Sequence, residues 1–276
     1  MKYFIVLFTV CISISISAQE IKFLGEAKPG GIIIGTGDKI ASAALNNTKL
    51  QIDKNGVFLF GFDRDAAGTF NLSVKFENKK VKTFKYIVKK QKYDVQRLRV
   101  AKDFLNPPTK ILEQIETEEQ MIKEARAKVG IIKDALFISG FENPLDSVNI
   151  RAAFGVQRIL NGKPSNVHNG LDFSAEAGDS IRAIADGVVR ITGENFFYNG
   201  TFALLDHGQG LTSVYLHMSK LLVNNDQTVK KGEVIGLVGS TGRSTGPHLH
   251  LGVQWYKKRI DPMSLFDLKL EKLKDF

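Results

Sequence analysis

Cysteine is nearly absent from this 276-residue chain: the single one, Cys11, lies in the first dozen residues. Once that segment is removed, no disulfide can form and no thiolate is left as nucleophile or metal ligand. Histidine is missing from the first 167 residues, and all five histidines fall between 168 and 250. Long apolar runs are equally scarce. Only Tyr3 to Ile12 qualifies, which is short for a membrane span and is followed by the interrupted stretch Ser13-Ile14-Ser15-Ile16-Ser17-Ala18. With Lys2 ahead of it and Ala18 behind, the run reads as a secretory signal peptide, residues 1–18, cleaved to leave Gln19 first. An uncleaved anchor is the alternative. Val10 is too large for the position before a lipoprotein cysteine, so lipidation is not expected.

What is present is ordinary for a soluble protein: 43% hydrophobic and 24% charged residues, in a length that accommodates about two domains. Lys and Arg number 38 against 29 acids, a net charge of +9 that favours anionic partners: nucleic acid, a membrane surface or a wall polymer. The basic clusters (Lys79-Lys80, Lys89-Lys90, Lys257-Lys258-Arg259) are short and dispersed, so no nucleic-acid partner is expected.

The patterning is mainly β. Phe70-Asn71-Leu72-Ser73-Val74-Lys75-Phe76 alternates, Phe84–Val88 repeats the theme, and Pro29-Gly30-Gly31, Asn55-Gly56 and Asp63-Arg64-Asp65 mark turns. Residues 19–98 are therefore expected to form a small β-sandwich of immunoglobulin type. A helical linker follows over 99–139. Beyond Pro107-Pro108, with Thr109 as cap, apolar residues recur at Ile111, Ile115, Ile122, Ala125, Val129, Ile132 and Leu136, interrupted by Glu118. This spacing predicts a helix of roughly 28 residues, about 42 Å long. Residues 140–270 return to strands and glycine turns and are expected to form an all-β domain that holds the chemistry.

Four of the five histidines stand in recognisable settings. His168-Asn169-Gly170-Leu171-Asp172 places an imidazole and a carboxylate where a turn enters a strand, a pair suited to Zn²⁺. His248-Leu249-His250 puts two imidazoles on one face of a strand and Leu249 on the other. Only one of the two need bind metal; the other can stand beside it and meet substrate. His217 ends the strand-like Val214-Tyr215-Leu216 and, taken alone, reads as a surface residue. His207 reads as structural. The glycine-rich run Gly239 to Gly246 is followed by Pro247 and a strand, not by the lysine and helix of a phosphate-binding loop.

Taken together, His168-x-x-x-Asp172, His217 and His248-x-His250 resemble the motif set of the lysostaphin-type, or LytM-like, zinc peptidases (peptidase family M23). The flanking text agrees in order: Gly170-Leu171-Asp172-Phe173, Asp206-His207-Gly208, Lys231-Gly232-Glu233-Val234-Ile235-Gly236 and Gly239 through Leu251. The resemblance covers roughly 145–266. It implies one Zn²⁺ per chain held by His168, Asp172 and His250, with His217 and His248 on the catalytic side. It also implies a secreted endopeptidase that uses metal-bound water to cut peptidoglycan stem or cross-bridge peptides in the periplasm, cell envelope or outside the cell. It leaves open which histidine is the general base. No His-Glu-x-x-His helix supplies a glutamate base. Some relatives that have lost ligands act as regulators; all five positions are intact here. A wall-binding or activator module is the alternative, and a peptidase acting on glycine-rich proteins a third reading. Several relatives place a tyrosine near the site. No counterpart precedes His168, and Tyr198 is the candidate.

Overall fold

The computed structural model of the chain describes residues 20–99 and 107–273. The expected signal peptide lies outside the described residues. Among the described residues no helix is long and apolar enough to cross a membrane.

The first part of the chain forms two antiparallel sheets. One joins β1 (Ile21–Gly25), β2 (Ile32–Gly37) and β5 (Val57–Gly61) in the order β1-β2-β5. The other joins β3 (Ile40–Leu45), β4 (Thr48–Leu50), β6 (Gly68–Phe76) and β7 (Val81–Val88) in the order β4-β3-β6-β7. The alternation read in β6 is realised: Leu72, Val74 and Phe76 are buried while Lys75 is exposed. Aromatic pairs join the sheets edge to face, Phe23 with Phe84 and Phe62 with Phe70 at 4.9 Å each, and Phe60 with Tyr86 at 5.4 Å.

Strands β2 and β5 are buried at every position. Successive side chains point to opposite faces, so both faces of these strands must be covered. The four-stranded sheet covers one. Contacts to the C-terminal part appear on this unit as well: a Cβ on Gly61 would lie 2.6 Å from Ile260, and one on Gly30 would lie 2.7 Å from the Phe154 ring. The result is one continuous apolar core that runs from Ile32 through Phe173 and Leu251 to Leu273.

A helix does follow the first unit, but it is shorter than its apolar spacing predicts. A 3₁₀ turn, Thr109–Ile111, leads into α1, Leu112–Ala127, 16 residues in all. The helix makes no side-chain N-cap bond, so Thr109 does not cap it. It ends because the chain turns at Gly130, whose φ is +89° and whose Cα lies against the Tyr256 ring, where a Cβ would be 2.7 Å from ring carbon. Val129, Ile132 and Leu136 therefore fall beyond it. Ile115, Glu118 and Ala125 are the buried face of α1, and Ile122 and Ala125 pack on Ile191, Phe196, Phe202 and Leu204.

The C-terminal part is all β apart from short turns. β8 (Val95–Leu98) precedes the helix but pairs in parallel with β10 (Gln157–Leu160), which also pairs with β11 (Lys163–Val167). The large sheet has the order β17-β14-β15-β16-β19-β12-β9. Its strands are β9 (Ile150–Ala152), β12 (Gly170–Phe173), β14 (Gly187–Phe196), β15 (Gly200–Asp206), β16 (Leu211–Leu221), β17 (Thr228–Val229) and β19 (Leu249–Trp255). β13 (Ser180–Arg182) and β18 (Val234–Val238) attach through β16, and β20 (Lys258–Ile260) pairs with β19. The strand-like Val214-Tyr215-Leu216 falls within β16 and Leu249-His250 within β19, but His248 stands just ahead of β19 in an isolated bridge with Gly239.

Candidate metal centre

Strand register builds the site. In the β12–β19 ladder Asp172 lies directly opposite His250. Leu171, Phe173, Leu249 and Leu251, their alternating neighbours, are buried in the core. Asp172 and His250 therefore share the other face of the sheet. His168 enters from the turn before β12. Its Nε2 is 2.9 Å from Asp172 Oδ1 and 3.2 Å from His250 Nδ1, and His250 Nδ1 is 2.7 Å from Asp172 Oδ1.

Three donors at these separations fit one small divalent ion. Zinc bonds of about 2.0–2.1 Å at tetrahedral angles set donors roughly 3.3–3.4 Å apart, so the cluster needs to open by less than about 1 Å at every pair. The ring tautomers suit this too. His168 Nδ1 lies 2.7 Å from the Ala153 carbonyl oxygen, which can only accept, so Nδ1 carries the proton and Nε2 presents its lone pair inward. Burial raises the Asp172 carboxyl, but hydrogen bonds and charge from His168 and His250 outweigh it and hold the group far below the usual carboxylate range. Burial also lowers His250 against the pull of Asp172, favouring the neutral ring a metal requires. The outer oxygen, Asp172 Oδ2, meets Arg158 Nη2 at 3.3 Å.

His217 and His248 stand together beside this cluster, ring centroids 4.9 Å apart. His248 Nε2 is 4.0 Å from Asp172 Oδ1, while its Nδ1 faces the Gly246 carbonyl at 2.8 Å and Ser244 Oγ at 3.3 Å. His217 reaches the site through a β-bulge. Thr201 pairs with Met218 and Ala203 with Tyr215, so two residues of β16, Leu216 and His217, oppose the single Phe202. His217 takes φ +64°, its N–H donates to the Asn199 carbonyl at 3.0 Å, and its Nδ1 lies 2.8 Å from the Thr241 carbonyl oxygen. A bulky residue in the left-handed region is costly, and such strain gathers at functional sites. Burial pushes the His217 imidazole down to about 4; the Thr241 bond opposes this, and neighbouring His248 and His250 add to it.

The five motif residues thus meet in one place. His207 does not join them: it is fully buried, with Nδ1 2.8 Å from the Asp186 carbonyl and Nε2 2.7 Å from Ser213 Oγ. Tyr198 lies on the β14–β15 turn, its ring 4.9 Å from that of Phe197 and 5.3 Å from the Arg243 guanidinium carbon. Arg158 escaped the sequence reading, since nothing in its spacing marks it. Glu118 left a trace there as a charge within an apolar stripe. It is buried, and its Oε2 accepts the Phe197 N–H at 2.9 Å, two residues before the Asn199 that holds His217.

The segment that carries these residues has counterparts among known proteins. Residues 166–262 match the family described as Peptidase family M23. The peptidoglycan DD-endopeptidase ShyA of Vibrio cholerae is 47% identical over 83 residues, 30% of this chain and 19% of that protein. The DD-carboxypeptidase/endopeptidase Mpg of Neisseria meningitidis is 37% identical over 122 residues, 44% of this chain and 28% of that protein. The chain aligns with only about a fifth to just over a quarter of the length of these relatives. A crystal structure from Pseudomonas aeruginosa bearing the description peptidase M23 superposes with a TM-score of 0.63 at 26% identity, covering 87% of this chain and 95% of that one. With the motif residues in family order and converging at one point, the segment 166–262 is a domain of peptidase family M23, the lysostaphin-type or LytM-like peptidases.

Proposed function

We propose that the chain is an exported, zinc-dependent endopeptidase that hydrolyses peptide bonds in peptidoglycan stem or cross-bridge peptides. The carrying observation is the convergence of His168 Nε2, Asp172 Oδ1 and His250 Nδ1 within 3.2 Å of one another. In this reading residues 1–18 are a signal peptide, 19–98 a β-sandwich unit, 99–139 a helical linker and 140–270 the peptidase domain. The net charge of +9 suits an anionic wall polymer. The relatives' names supply the substrate class. No nucleic-acid partner and no lasting membrane insertion are part of the reading.

A bound zinc ion supplies a Lewis acid and a water acidified toward neutral pH. The protein supplies the rest. His168, Asp172 and His250 would hold the ion, a three-residue donor set of the kind catalytic zinc sites use. His217 and His248 each direct Nδ1 at a backbone carbonyl, so each keeps Nε2 for the reacting groups. His217 is neutral at physiological pH and can accept a proton there. The two rings can also hydrogen-bond the carbonyl oxygen as it gains charge.

Digestion of purified sacculi tests this directly. Zinc-loaded protein should release new amine termini, a chelator should stop the release, and mass spectrometry of the fragments should identify the bond cut. A fully zinc-loaded chain that releases nothing from any wall type would leave a non-catalytic wall-binding or activator module in its place.

A further inference from the structure

The first β unit grips the segment that holds two of the three candidate metal ligands. Arg64, in the turn after β5, is only 9% exposed. A buried guanidinium is costly unless its donors are met and its charge is paired. Its Nε and Nη2 both donate to the carbonyl of Gly155, at 3.0 and 2.5 Å. Its Nη1 pairs with Asp65. Its guanidinium carbon lies 4.2 Å from the centre of the Tyr93 ring, and the Tyr93 hydroxyl donates to the Arg64 carbonyl at 3.0 Å. Gly155 has φ +82° and packs close against that ring, where a Cβ would come within 2.2 Å of ring carbon.

From Gly155 the contacts lead directly to the ligands. The Gly155 N–H donates to the His168 carbonyl and the His168 N–H to the Val156 carbonyl, both at 2.8 Å. The Ala153 carbonyl fixes His168 Nδ1 at 2.7 Å. Three residues beyond Gly155, Arg158 holds Asp172 Oδ2. Arg158 itself sits on β10, paired in register with Gln96 of β8. The stretch 153–158 is thus the outer shell of the cluster on one side and the seat of Arg64 and Tyr93 on the other.

We propose that Arg64 is a positioning residue for the metal centre, acting through residues 153–158 to set the orientation of His168 and Asp172. This rests on the reading that His168, Asp172 and His250 hold a divalent ion. Outer-shell partners of metal ligands commonly change affinity about 10–100-fold. Arg64 acts one step further out, so a loss of roughly tenfold is expected.

The test uses the full chain with the substitutions Arg64→Ala, Arg64→Lys and Tyr93→Leu. Arg259→Ala serves as comparison, because Arg259 pairs with Asp63 across the same interface at 2.7 Å and reaches the Arg64 clamp only through Asp65, at 3.3 Å. The readouts are the zinc dissociation constant by chelator competition, the visible spectrum of the Co²⁺-substituted protein, which reports ligand geometry, and thermal unfolding. Arg64→Ala should weaken zinc binding roughly tenfold and shift the Co²⁺ bands. Arg64→Lys should restore part of the loss, since an ammonium keeps the charge but not the fork. Arg259→Ala should lower the melting temperature and change zinc affinity and spectrum far less than Arg64→Ala does. If Arg64→Ala does not fold, Tyr93→Leu loosens the same clamp and carries the same expectation. Wild-type zinc affinity and Co²⁺ spectrum in a folded Arg64→Ala or Tyr93→Leu protein would overturn the proposal, as would an equal loss of affinity in Arg259→Ala. A wild-type chain that takes up neither zinc nor cobalt would overturn the metal centre itself, and this inference with it.

Discussion

At the residue scale, the two groups of side chains in the site should fail in different ways. Asp172→Ala and His250→Ala each remove one of three donors, and the purified variants should lose the metal, as elemental analysis would show. His217→Ala and His248→Ala leave the donor set intact. They should keep a full complement of zinc and lose about 10²–10⁴ in kcat, the usual range for a proton-transfer group. Loss of zinc in either of these two would move it from the catalytic side into the ligand set. His207 offers a separate check on solution behaviour. Burial holds it below the ordinary histidine range, so the unfolded chain binds a proton near about pH 6.5 that the folded chain refuses. The corresponding stability is present above that pH and is lost as pH falls below it. His217 and His250 are lowered by burial as well and act with the same sign. Melting temperatures taken from about pH 8 down to about pH 5 should fall, and His207→Gln should flatten part of that slope. A melting temperature that rises on acidification would contradict it.

At the scale of elements, the sequence made some features plain and hid others for physical reasons. That Leu249 enters the core and His250 faces away from it was legible because strand alternation is a local rule. That Asp172 faces His250 was not, because ladder register depends on where distant strands meet. His217 read alone as a surface histidine. Its inward turn comes from a bulge, and bulges leave no clear mark when the left-handed residue is not glycine. The helix was legible in kind but overlong in extent, since apolar spacing continues into a loop that packs equally well. Glu118 shows what that spacing misread as an interruption: a carboxylate that binds the β14–β15 turn. Glu118→Ala should cost about 1–3 kcal/mol in urea unfolding by leaving the Phe197 N–H without its acceptor. Glu118→Gln, which keeps an oxygen there, should cost distinctly less.

At the scale of the whole molecule, the first unit and the peptidase part are bound by more than proximity. Arg259 pairs with Asp63, Gln209 Nε2 donates to the Val57 carbonyl at 2.8 Å, and the apolar core runs through both. The described chain should therefore melt in one cooperative transition, and a truncated chain without residues 20–98 should melt far lower or fail to fold, since it bares residues such as Phe154 and Ile260. Two well-separated transitions in calorimetry would show the units to be independent. Alternation announced a mainly β chain but gave no hint of this union, because its contacts join residues about 90 to 200 positions apart.

The carbonyl of Gly155 has a practical consequence for anyone recombining such chains. A crossover placed at residue 99, where the sequence changes character most visibly, would part Arg64 from the backbone oxygen it was shaped to meet. Chimeras should tolerate exchange of the first unit only when the short stretch 153–158 travels with it.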